Sequence, residues 1–298
     1  MRIEHVPPNS NKQALIRIEG LAEPLTLVHV TDSHMNETDK REGGAILEQS
    51  YREYAFDALE TRTNFNRVLD YANELSADCM ILTGDIVNGA TAKNLHFLEE
   101  RLTSLRSPFL YTPGNHDWEY PGEAWGEGTR QSQYAKFNRL TEGNPAYQSK
   151  TIGGVRLITI DNSTYQFSED QLDFVKRELA LGLPTLFFMH IPIYIPSLLG
   201  EVLQNFNSPI MIAGEGWDAQ RMEEWKVEPA SESTLTLYRL LWDNPFKNIV
   251  GVFCGHVHFA HQDPFGQGSY QYVTQAGFSG GYRVIRLLPL EALEEVDS

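Results

Sequence analysis

The chain has 298 residues, 41% of them hydrophobic, and a formal net charge of −16. That composition is ordinary for a globular enzyme, and so acidic a balance argues against broad nucleic-acid binding, which needs a basic face. No run of about 18 apolar residues exists to span a membrane, and Met1 to Gln13 lacks the apolar core of a signal peptide. Cys79 and Cys254 lie inside apolar runs. They read as buried, reduced thiols, which points to a cytoplasmic setting.

Taken in order, Gln13 to Glu19 and Leu25 to Thr31 read as strands separated by a turn over residues 20–24. If the extended backbone persists past Thr31, Asp32 and His34 point to one side, because strand side chains alternate. Residues 36–58 are polar and carry Gly43-Gly44, which suggests a loop with a short helix. Helical spacing of Phe65, Val68, Leu69, Ala72 and Leu75 predicts a helix over 64–75, with Thr63 or Asn64 as N-cap. A strand over 78–83, a helix over 92–105 and a strand over 109–112 follow. Alternation of strand and helix implies parallel pairing.

Residues 118–128 read as a loop and 130–140 as a helix. Two alternating runs, 147–152 and 155–161, flank Gly153-Gly154 and read as a hairpin. Ser168 and Gln171 form a capping-box signature for a helix over 169–181. A strand over 184–189 precedes Ile191 to Ser231, the least regular segment and a long one for a connection within a domain. The chain closes with a helix over 232–242, a strand over 248–254, two alternating runs that look like antiparallel strands (269–274 and 282–288) and an acidic tail over 290–298. Nothing resembling a linker falls between positions 32 and 258, so a single domain spanning 1–298 is expected, with 118–128 and 191–231 as candidate lid segments.

Five apolar strands each deliver Asp, His or Asn just past their ends. They give Asp32-Ser33-His34, Gly84-Asp85, Gly114-Asn115-His116-Asp117, His190 and Gly255-His256-Val257-His258. Loop residues at the exits of sheet strands are where ligand-binding side chains are usually held. Asp32, His34, Asp85, Asn115, His190, His256 and His258 offer only nitrogen and oxygen donors, which suit Mn, Fe or Zn better than soft-metal or iron–sulfur sites. Seven such donors exceed one tetrahedral ion and match two. Two bound cations would also offset the acidic surface for an anionic substrate.

These motifs, spread from 32 to 258, resemble the calcineurin-like metallophosphoesterases. The resemblance implies an α/β fold: a four-layer α/β-β/α sandwich of two mixed sheets flanked by helices. It implies two divalent or trivalent metal ions, Mn and/or Fe or Zn. Asp32, His34 and His258 would hold one ion, Asn115, His190 and His256 the other, and Asp85 would bridge them. His116 would be the general acid, oriented by Asp117, while metal-bridging hydroxide attacks phosphorus. The pattern looks like the cyclic-nucleotide-phosphodiesterase-like branch. Asn88 stands where purple acid phosphatases carry a Tyr ligand, and the Arg-rich signature of phosphoprotein phosphatases is missing. A small phosphorylated substrate is therefore expected, in a phosphodiester or phosphomonoester. A pyrophosphate linkage in a nucleotide-derived or lipid-linked compound is the alternative, and a non-catalytic scaffold the third reading.

Substrate contacts are expected from Asn115 and His116, and from the aromatics Trp118 and Tyr194. Tyr120 and Trp125 could also stack on a flat group, and Arg41 and Arg52 could reach phosphate. His5, His29, His96 and His261 have no motif context. Nothing in the sequence specifies the oligomeric state.

Overall fold

The computed structural model describes residues 1–7, 10–36, 57–119 and 125–290. Most of the loop expected over 36–58, with Arg41 and Arg52, and Tyr120 and most of the tail over 290–298, lie outside the described residues. Two six-stranded sheets form the centre. The first contains β1 (Ile3–Val6), β2 (Gln13–Ile18), β3 (Leu25–Val30), β4 (Cys79–Thr83), β5 (Phe109–Thr112) and β12 (Arg283–Pro289), in the order β1-β2-β12-β3-β4-β5. The second contains β6 (Tyr147–Ile152), β7 (Val155–Ile160), β8 (Thr185–Phe188), β9 (Ile249–Cys254), β10 (His261–Phe265) and β11 (Ser269–Val273), in the order β10-β11-β9-β8-β7-β6.

Strands β3, β4 and β5 run parallel, as do β7, β8 and β9. Every residue of β4, β8 and β9 is buried. Strands covered on both faces read as continuous apolar runs, which is why the sequence shows no alternation there. One face of each sheet meets the other around Leu27, Ile81, Leu186, Phe188, Phe253 and Ile285. The opposite faces are covered by helices. Phe65, Val68 and Leu69 of α1 (Ala58–Glu74) and Leu98 of α2 (Ala92–Leu102) pack on the first sheet. Leu172 and Val175 of α5 (Glu169–Leu179) and Leu237 and Leu241 of α8 (Glu232–Asp243) pack on the second. The result is four layers of two mixed sheets flanked by helices, with one shared central core.

Four local expectations change. Helix α1 begins at Ala58 rather than Asn64, because Asp57 caps it by accepting from the amides of Leu59 and Glu60. A carboxylate there satisfies orphan helix amides better than Thr63 could from inside the helix. Residues 191–231 hold two helices, α6 (Pro196–Phe206) and α7 (Ala219–Glu224). Ile191, Ile193, Ile195, Leu198 and Val202 from this segment are buried, so apolar packing gives it order that its irregular, Pro- and Gly-interrupted pattern hid. The two closing strands do not pair with each other. β11 runs parallel to β9 and antiparallel to β10, while β12 lies between β2, parallel, and β3, antiparallel. The segment over 130–140 is shared between α4 (Glu127–Tyr134) and a 3-10 turn over Ala135–Phe137. No helix among the described residues is long and apolar enough to cross a membrane.

Candidate metal centre

All five motif loops leave the C-terminal ends of parallel strands, β3, β4 and β5 in one sheet and β8 and β9 in the other. Stacking the sheets face to face therefore brings the loops to one edge. The backbone is not extended there, contrary to the alternation expected for Asp32 and His34. Asp32, His34, Asp85, His256 and His258 have φ of 50°, 46°, 50°, 69° and 62°. Non-glycine residues rarely hold this left-handed conformation unless the surroundings enforce it, and such strain gathers at functional sites. The enforcement is visible as hydrogen bonds between loops. Asp32 N donates to Gly84 O at 3.0 Å, His34 N to Asp85 O at 2.8 Å, and Gly255 N to His190 O at 2.9 Å. Glycines supply the clearance. A Cβ on Gly255 would lie 2.2 Å from Asp32 Oδ2, and one on Gly114 would lie 2.3 Å from Asp85 Oδ1.

Two triads converge. Ligand atoms of Asp32, His34 and His258 lie within 4.8 Å of one another, as do those of Asp85, His190 and His256. Asp85 Oδ2 sits between them, 3.1 Å from His190 Nε2 and 3.8 Å from His34 Nε2. The donors fit a pair of cations. His34 Nε2 faces His258 Nε2 at 3.3 Å, and His190 Nε2 faces His256 Nδ1 at 3.2 Å. Each such pair can share only one proton, whereas a cation can accept both lone pairs. Asn115 Oδ1 is buried without a hydrogen-bond partner, an acceptor left for a ligand.

The other ring atoms orient the imidazoles. His34 Nδ1 bonds Asn88 Oδ1 at 2.7 Å, His190 Nδ1 donates to Thr83 O at 3.0 Å, and His256 Nε2 bonds the Tyr165 hydroxyl at 2.8 Å. Such outer partners fix the tautomer that points a lone pair inward. Burial alone would raise both central carboxylates, yet the surrounding imidazoles hold Asp32 and Asp85 below the usual carboxylate range. Burial lowers His34 to about 4, and pushes His256 down as well. His190 moves the other way. Burial would lower it, but the adjacent Asp85 carboxylate raises it to about 9.

A family model, calcineurin-like phosphoesterase, matches residues 25–260. The chain belongs to that family. Its members are dinuclear-metal-dependent, and this phosphoesterase is a metal-dependent hydrolase of phosphoric esters. A curated relative, a probable cyclic nucleotide phosphodiesterase from Fibrobacter succinogenes, is 20% identical over 234 residues, 78% of this chain and 73% of its own. Among solved structures, a dimetal phosphatase from Danio rerio superposes with a TM-score of 0.59 at 11% identity, covering 90% of this chain and 94% of that one. A purple acid phosphatase from yellow lupin seeds gives a TM-score of 0.53 at 15% identity, covering 90% of this chain and 46% of that one. These structures share the fold of the phosphoesterase.

Around the triads, some expected side chains take other roles. His116 is on the short helix α3 (Asn115–Trp118), half-buried, with its ring 5.1 Å from that of His34. Asp117 does not orient it. Asp117 is fully buried, and its oxygens accept from Val87 N at 2.9 Å and Gly114 N at 2.7 Å. It braces the Asp85 loop against the Asn115 loop, and burial together with nearby Asp85 raises its pKa. Glu119 is the carboxylate beside His116, 3.4 Å from Nδ1. Trp118 is no substrate contact either. It is fully buried, donates to Ser163 Oγ at 2.8 Å and packs on Trp125. Tyr194 is packed in the helical-side core with its hydroxyl donating to Glu215.

The aromatics that do meet the centre were not singled out from sequence. Phe278 lies 5.8 Å from the His34 ring and 5.1 Å from that of His258, and Phe206 lies 6.3 Å from His258. Tyr165 and Asn162 were also passed over, although they follow a strand end like every motif residue. Asn162 clamps the His190 loop by accepting from Ile191 N and donating to Ile191 O. Its run, Asp161-Asn162-Ser163 after β7, was the available signal.

Proposed function

We propose that this phosphoesterase hydrolyses small phosphodiesters or phosphomonoesters at a two-metal centre. One ion would be held by Asp32, His34 and His258, the other by Asn115, His190 and His256, with Asp85 shared. The reading rests on one observation, two adjacent donor triads in which the buried Asp85 carboxylate of one also lies 3.8 Å from His34 of the other. When bound, such ions supply hydroxide near neutral pH and positive charge against phosphoryl oxygens. The chain's residues do the rest. Asp85 Oδ1 accepts from His116 N at 2.8 Å, which fixes the helix carrying His116 beside the centre. His116, with Glu119 at Nδ1, is positioned to donate a proton from its other nitrogen to the departing oxygen. Asn115 Oδ1 is left as an acceptor for a ligand, and Phe278 and Phe206 pack edge-on against the His258 ring.

Similarity to the probable cyclic nucleotide phosphodiesterase of Fibrobacter succinogenes supports a place in the cyclic-nucleotide-phosphodiesterase-like branch. Manganese or iron, or zinc, suits the mixed carboxylate, amide and imidazole donors. Cys79 and Cys254 are free and buried, which supports a reducing, cytoplasmic setting. The test is metal stripping followed by reloading with manganese, iron or zinc. The expected result is two ions per chain and hydrolysis of bis(4-nitrophenyl) phosphate only in loaded protein. A chain that holds both ions and hydrolyses neither this diester nor 4-nitrophenyl phosphate ends the proposal.

A further inference from the structure

A cleft of about 730 Å³ opens between Trp125 and the segment 222–231. Its size is that of a small-molecule site. Two independent connections tie its walls to the metal centre. On one side Lys226 lies 3.8 Å from Glu119 Oε1, and Glu119 Oε2 lies 3.4 Å from His116 Nδ1. On the other, Thr164 and Gln166 line the cleft and flank Tyr165, whose hydroxyl bonds His256. Tyr165 also lines a smaller adjoining cavity that shares Met222 and Val227 with the cleft. The wall is preformed. Gln166 donates to Glu228 O and Pro229 O and accepts from Ser231 N at 2.9 Å.

We propose that this cleft is the leaving-group subsite and that it takes an organic alcohol, neutral or cationic, bearing no phosphate of its own. The inference rests on the hydrolase reading above and chooses between diester and pyrophosphate substrates. Position is the first argument. The oxygen that departs must lie beside His116, and the cleft begins where the side chains touching His116 end. Lining chemistry is the second. Trp125, Met222 and Val227 offer an aromatic face and apolar walls. Charge is the third. Lys226 is paired with Glu119 and Glu127 with Arg130. Glu223 and Glu228 have no ion-pair partner among the described residues, so the lining is net negative. A leaving nucleotide would carry its own phosphate against those carboxylates, whereas an alcohol or amino alcohol would not.

The test compares bis(4-nitrophenyl) phosphate, which releases a phosphate-free alcohol, with diadenosine diphosphate, which releases a nucleotide. In manganese-loaded protein the diester should have the higher kcat/KM. Trp125→Ala should raise KM for the diester about tenfold with manganese content unchanged. Calorimetric titration of 4-nitrophenol into the loaded protein, in mildly acidic buffer that keeps the phenol neutral, should show binding that this variant loses. The double change Glu223→Lys with Glu228→Lys should raise the ratio of kcat/KM on diadenosine diphosphate to that on the diester at least tenfold. An unchanged KM together with undiminished 4-nitrophenol binding in Trp125→Ala overturns the subsite, as does a wild-type preference for diadenosine diphosphate. Loaded protein that turns over neither compound, nor 4-nitrophenyl phosphate, ends the hydrolase reading instead, and 4-nitrophenol binding still decides the cleft.

Discussion

Asp117 is where the sequence and the structure assign different work to one side chain, so its substitution separates them. Its two carboxylate oxygens each accept a backbone N–H, from Gly114 at 2.7 Å and from Val87 at 2.9 Å, and no part of it is exposed. In Asp117→Asn one oxygen remains an acceptor, while the new NH2 group confronts the second backbone N–H. One orphaned buried donor costs about 1–3 kcal/mol. Asp117→Ala orphans both, for about 2–6 kcal/mol before any cavity cost. The loops that lose their brace carry Asp85 and Asn115, so metal retention should fall together with stability. Urea unfolding of metal-free protein, followed by metal titration, reads both quantities. If Asp117 instead acted only by orienting His116, Asp117→Asn would leave the unfolding midpoint unchanged and alter only the pH profile of turnover. That pattern refutes the bracing argument.

Tyr165→Phe removes the hydroxyl that holds His256, and losing such outer partners typically weakens metal binding ~10–100-fold. Stepwise metal titration should show weakened binding of one of the two ions, and affinities unchanged from the unsubstituted protein would remove Tyr165 from this role. Asp85→Asn should cost more activity than any other single ligand change, beyond the ~10–100-fold of an outer partner, because on the proposed bridging role both ions would lose a carboxylate. Full metal content with retained turnover would count against sharing.

His5, far from the motifs in sequence, predicts an acid limb of stability. Its Nδ1 bonds Tyr272, its ring stacks on Tyr270, and burial lowers its pKa from 6.5 to about 4. The unfolded chain thus takes the proton first as pH falls. Stability present above pH 6.5 is lost as pH drops toward 4, by about 2–3 kcal/mol from this group. His5→Phe should flatten that limb in denaturant titrations at successive pH values, and an unchanged slope would rule His5 out.

Much of the architecture was legible because its signals are local. Fully buried parallel strands announce themselves as unbroken apolar runs, as Met80 to Leu82 and Ile249 to Phe253 do. Ser168 and Gln171 mark a helix start because both capping bonds form within four residues. Donor chemistry at strand exits was likewise readable, since the residue types that hold hard cations are few and each followed an apolar strand-like run, with Asp85, Asn115 and His256 directly after a glycine. Aromatic roles were not. Trp118 and Tyr194 sit close to motifs in the chain but point into cores, whereas Phe278 reaches the centre from the far end of the sequence.

By itself, then, the order of residues determined which side chains could serve a metal centre and which runs would form its two sheets. Only the tertiary structure decided that Asp117 braces loops, that Glu119 faces His116, and that a cleft opens beside Trp125. Periodicity and spacing report which face of an element is apolar. They carry no record of which distant element covers that face, and it is the stacking of one sheet on the other that sets those contacts.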